Sequence, residues 1–112
     1  MGTRTPSRLQ GLPTAVVLGH EVPVATGSRS RLLGLAWLDR GEAGTGLLIP
    51  RCASVHTFGM RFALDLHFLD ERGDLLDMRR DVPPRRLAFV RGAHAVLEIP
   101  AREGGEFPAA RA

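Results

Sequence analysis

Cys52 and His56 stand four residues apart in "CASVH", and a thiol beside an imidazole is the pairing that activates a sulfur nucleophile. Along an extended strand that spacing spans roughly 13 Å, beyond hydrogen-bond reach, so only a tight turn at Ala53 and Ser54 would join the two. No acidic residue is placed by the sequence to orient the imidazole. The pattern favours a structural cysteine, and no residue is assigned as catalytic.

The four histidines, His20, His56, His67 and His94, show no H-x-H, C-x-x-C or H-E-x-x-H spacing, so neither a metal nor a cofactor is expected. Arg61 and Asp65 offer different chemistry. The planar fork of Arg61 matches a carboxylate or phosphate, and its plain alternative is a cross-strand ion pair. Asp65 suits the fixing of main-chain amides in a neighbouring loop. A ligand site, where one exists, is expected as a concave patch around His56 and Thr57, with Arg61 or Arg51 at its rim and Asp65 further along the polar face. A small polar or anionic molecule would fit that mixture. A filled core end without a cavity is the competing expectation.

The elements that must position these residues follow from periodicity. Read as extended chain, Val55 to Leu69 sorts into two faces. His56, Phe58, Met60, Phe62, Leu64, Leu66 and Phe68 form an apolar set, and Thr57, Gly59, Arg61, Ala63, Asp65, His67 and Leu69 a polar and small one. A helix would mix the sets, so one long strand is expected, then a hairpin turn at Glu71-Arg72-Gly73-Asp74. "AVVLGHEVPVAT" reads as two short β segments, "LLIP" as a buried strand, and "LAFV" and "AHAVLEIP" as two more. "GSRSRLLGLAWLDR" holds the one expected helix, near Arg31 to Leu38, capped by Ser28 or Ser30 and carrying Gly34 inside it for close packing. Asp39 to Gly46 reads as a Gly-rich loop. Short strands at this spacing point to a mainly β domain, a compact antiparallel β-sandwich or barrel with one short helix in the N-terminal third.

Length and charge bound the function classes. A chain of 112 residues is one domain and buries about two-thirds of the surface its unfolded form exposes. Residues 1–13 read as a loose lead-in, 14–101 as the β domain and 102–112 as a short flexible tail. All 15 basic residues are Arg, so the high isoelectric point reflects how Arg titrates, and the net charge of +3 gives little reason to expect nucleic acid. "RRDVPPRRLAFVR" packs five arginines together. With 5% aromatic residues and no Tyr, that run reads as a solvated edge rather than a base-stacking platform. The apolar run near the N-terminus is too short for a signal peptide, and none approaches a membrane span, so the cytoplasm is the expected location. The single Cys52 rules out an internal disulfide.

"GLAW" (Gly34 to Trp37), "GLLI" (Gly46 to Ile49), "HTFGMRFALDLHFLDERG" (His56 to Gly73), "DVPP" (Asp81 to Pro84) and "VLEIPA" (Val96 to Ala101) occur in an order that resembles one bacterial and archaeal family. It is the family called domain of unknown function 192. The resemblance covers roughly residues 14–101 and implies a jelly-roll-like β-sandwich with a short helix near its start. It implies no particular activity, and many relatives are exported. This chain departs from the pattern at Ala63, where Pro is usual, at Arg102, where Gly is usual, and in its closing "REGGEFPAARA". The expected function is a small binding or accessory module for a small polar or anionic ligand or a protein partner. The alternative is a hydrolase using His56 with Asp65 or Cys52.

Overall fold

The computed structural model describes residues 6–102, so the first five residues of the lead-in and the tail beyond Arg102 lie outside the described residues. The chain is mainly β, with eight strands in antiparallel sheets and two small helices among the described residues: β1 (Thr14–Val17), β2 (His20–Pro23), α1 (Ser28–Leu33), α2 (Arg40–Ala43), β3 (Leu47–Pro50), β4 (Ser54–His56), β5 (Leu64–Leu69), β6 (Leu75–Val82), β7 (Leu87–Phe89) and β8 (Ala95–Pro100). A 3-10 turn at Ser7–Leu9 precedes them.

The main sheet runs β3-β8-β5-β6, while β1-β2 and β4-β7 form separate two-stranded ribbons. No closed barrel forms among the described residues. A parallel bridge between Val24 and Leu48 ties the end of the first ribbon to the edge strand β3. Register decides what the main sheet buries. Leu47 faces Glu98, which faces Leu66, so one row across three strands places a carboxyl among core leucines. Leu64, Leu66, Phe68, Ile49 and Val96 fill the rest of that core face.

The expected long strand from Val55 to Leu69 is two strands in different sheets, because the chain turns between them. Met60 N–H donates to Thr57 O at 3.2 Å, and Gly59 takes φ +82 beneath the Trp37 ring. Alternation read through a turn misassigns faces. Val55 packs on the core, whereas His56, opposite Leu87, shares the outer face of the β4–β7 ribbon. Within β5 the alternation holds: Leu64, Leu66 and Phe68 are buried, and Asp65 and His67 are half-buried.

The helix is shorter than expected, ending at Leu33 instead of reaching Leu38. Gly34 stops it by taking φ +53 and ψ −126. Leu35, Ala36 and Leu38 are still buried, but in irregular backbone. Ser30 acts at the helix start, its hydroxyl accepting Gly27 N–H at 3.2 Å. A second helix, α2, stands where a glycine-rich loop was expected, because Glu42 Oε1 accepts Asp39 N–H at 2.8 Å and ties that turn. Packing also begins before β1. Leu9 lies in the core, and the Arg8 guanidinium donates to Gly34 O and Ala36 O, holding down the chain that leaves α1.

Candidate functional site

Where β8 passes under the end of α1, a cleft of about 130 Å³ opens between the helix and the start of β4. Arg31, Gly34, Cys52, Ser54, Val55 and His56 line it, with Glu98 at its floor. Glu98 is 3% exposed. Its carboxyl receives the main-chain N–H of Leu35, yet Oε1 has no partner. Burial pushes the group up to about 8, against the smaller opposing pull of the Leu35 hydrogen bond. At neutral pH the carboxyl is therefore mostly protonated, and offers one O–H donor together with acceptor capacity.

Gly34 meets this carboxyl at the helix end. A Cβ there would lie 2.8 Å from Glu98 Oε1, and the φ of +53 also favours glycine. On the opposite wall, Arg31 is spent on structure. Its guanidinium donates to Pro50 O and, at 3.2 Å, to Arg51 O, clamping α1 to the loop after β3.

Cys52 and His56 share the cleft, but each is turned to its own backbone. The Cys52 thiol donates to Ser54 O at 2.9 Å. His56 Nδ1 accepts Phe58 N–H at 3.2 Å, which places the proton of the neutral ring on Nε2. On its outer side His56 lines a second, apolar hollow of about 460 Å³ with Leu87 and Phe89.

The remaining predicted residues do not converge on this cleft. Thr57 is 1% exposed and entirely committed. Its hydroxyl donates to Pro83 O at 2.7 Å and accepts Arg86 N–H at 2.8 Å, stitching the turn after β4 to the loop before β7. Thr57→Val would leave both main-chain groups unpaired, with an expected loss of about 2 kcal/mol in a urea titration. Asp65 Oδ1 accepts Asp81 N–H at 2.9 Å across the β5–β6 pair. Arg61 pairs with Asp39 at 2.8 Å on the surface. Arg51 lies in the loop after β3 at φ +52, exposed, and its carbonyl rather than its guanidinium meets Arg31. Among the described residues no three His, Cys, Asp or Glu side chains are grouped to hold a metal ion.

Sequence reasoning missed Glu98. The signal was legible in "AVLEIP", where one acid interrupts an apolar strand, since a buried polar residue is more informative than an exposed apolar one.

The fold has a solved counterpart. A crystal structure of a protein of unknown function from Novosphingobium aromaticivorans is similar, with a TM-score of 0.58 at 20% identity over 90% of this chain and 89% of that one. That likeness speaks to the fold alone. No curated protein matches the chain. No helix among the described residues is long and apolar enough to cross a membrane. The sequence model of the uncharacterised family known as domain of unknown function 192 matches residues 13–106, and the chain belongs to that family.

Proposed function

We propose that the domain is a binding module for a small, neutral or weakly acidic molecule, held by the protonated carboxyl of Glu98 at the floor of the α1–β4 cleft. The observation that carries this reading is a fully buried carboxyl with one oxygen no protein group satisfies. Buried polar atoms in native proteins are almost always paired, and one left open at the bottom of a cleft is a place for a partner. A protonated carboxyl donates through its O–H and accepts through its C=O, the complement of a primary amide or a second carboxylic acid. Ser54 and His56 at the mouth add a hydroxyl and the Nε2–H donor.

Thermal unfolding in the presence of acetamide, glycinamide or acetate tests the reading, because a ligand that binds only the folded state raises the melting temperature. A saturable rise is expected, lost in Glu98→Leu. Ligand should also slow alkylation of Cys52, whose thiol lines the same cleft. No rise with any of the three, and no protection of Cys52, would refute the proposal.

A hydrolase using Cys52 with His56 draws support from one observation: thiol, imidazole and a carboxyl of raised proton affinity line a common cleft. It requires alkylation of Cys52 to be fast near neutral pH and to slow in His56→Ala. The version with Asp65 has no geometric support, since Asp65 does not line the cleft and is bound to the Asp81 amide.

A further inference from the structure

Away from the Glu98 cleft, a groove of about 640 Å³ runs between the Trp37 corner and the loop before β7, with Arg61, Pro83, Pro84, Arg85 and Arg86 along it. It shares no lining residue with that cleft. Its volume lies in the range of small-molecule sites.

Two features of the groove go against stability. Trp37 is held at φ +67, a left-handed conformation that costs an L-residue about 1 kcal/mol, and Arg85 is held likewise at φ +69. Trp37 N–H is pinned to Gly59 O at 2.8 Å, and the indole lies so close over Gly59 that a Cβ there would be 2.8 Å from the ring. The indole gains little burial from this, being 61% exposed. A strained backbone that presents a large flat ring to solvent, with a glycine kept bare beneath it, is a geometry maintained for contact with something else.

The charge of the groove is compensated only in part. Arg61 has Asp39. The Arg86 guanidinium reaches only the neutral carbonyls of Pro84, at 3.5 Å, and Arg85, at 3.4 Å. Among the described residues, neither Arg85 nor Arg86 has a carboxylate partner. Guanidinium forks match phosphate and carboxylate oxygens, and an indole face stacks on aromatic rings. The scarcity of aromatic residues argued against a platform for a strand of bases, but a single ring needs only one indole.

We propose that this groove binds a planar aromatic anion about the size of a nucleoside monophosphate, its ring stacked on Trp37 and its anionic group held by Arg85 and Arg86. The reading is independent of the Glu98 cleft.

Trp37 is the sole tryptophan and tyrosine is absent, so intrinsic fluorescence reports on the groove directly. The full chain is titrated separately with adenosine 5′-monophosphate, adenosine and inorganic phosphate. The expected result is saturable quenching by the nucleotide, with adenosine binding at least about tenfold more weakly because the charge-assisted hydrogen bonds are lost. The double variant Arg85→Gln, Arg86→Gln should weaken the nucleotide about tenfold or more and leave adenosine unchanged. These side chains hold no other element in place, so the variant tests binding rather than folding. Glu98→Leu should leave the titration unaltered. Quenching that is linear in concentration and equal for nucleotide and nucleoside would overturn the proposal, as would saturable binding indifferent to the double variant. Quenching by a short oligothymidylate but by no monomer would replace it with single-stranded nucleic acid.

Discussion

Raising the pH from about 5 to about 9 is expected to destabilise the domain by roughly 3–5 kcal/mol, and Glu98→Gln is expected to remove most of that loss. The Glu98 carboxyl sits at about 8 in the folded protein against an ordinary 4.5. The folded state therefore holds the proton more tightly than the unfolded chain does. Its contribution is fully present below about 4.5 and is lost as the pH rises through about 8, where a charge must appear in the core without a counterion. His67, whose imidazole burial holds below its usual value, works in the opposite direction on the acid side. The difference between wild type and Glu98→Gln cancels the His67 contribution, because both proteins keep it. Urea titrations at several pH values measure the difference. The variant should match wild type near pH 5 and exceed it near pH 9. Parallel curves across that range would mean that Glu98 ionises freely, and would remove the basis for its role as a protonated donor.

Two glycines that meet the same residue should respond differently. Gly34→Ala and Gly46→Ala are each expected to cost about 3 kcal/mol or more, since both positions combine positive φ with a close approach. At Gly34 the obstacle is a side chain: the new methyl would lie 2.8 Å from Glu98 Oε1. At Gly46, held at φ +136, it is main chain: the methyl would lie 2.4 Å from Glu98 O in the β3–β8 ladder. Adding Glu98→Ala should therefore recover part of the loss at Gly34, about 1 kcal/mol or more beyond additivity, and none at Gly46. Additive effects at Gly34 would show that helix-end strain alone, and not contact with the carboxyl, excludes a side chain there.

Local pattern carries far in this chain. The alternation of Leu64, Leu66 and Phe68 is a property of consecutive residues, and so are the hairpin turn before β6 and the apolar strand "LLIP". The structure puts these elements where the residues do: β3 spans Leu47–Pro50, and Asp70 Oδ1 accepts Arg72 N–H and Asp74 N–H in the turn. Mainly β character and the family were legible for the same reason, since each rests on residues read in order.

Where two distant segments meet, local pattern runs out. The break after His56 depends on Trp37 lying over Gly59 and on Thr57 bonding the loop at Pro83 and Arg86, partners 26 and 29 residues further on. An alternating sequence cannot announce a turn imposed by such contacts, so it runs His56 into one apolar face with Leu64, whereas the half-buried ring lies between the Glu98 cleft and the outer hollow of the β4–β7 ribbon. The helix end is similar. The sequence marks Gly34 as a close-packing position, but that its neighbour is the carboxyl of Glu98, 64 positions along the chain, follows only from the way the end of α1 packs over β8. Residue types and periodicity thus determined most of the sheet-forming segments, though not the break between β4 and β5, because side-chain alternation is local. Tertiary structure alone decided that a buried acid, a thiol and an imidazole share one cleft, because desolvation and unpaired hydrogen-bonding capacity arise from what the rest of the chain places around a group.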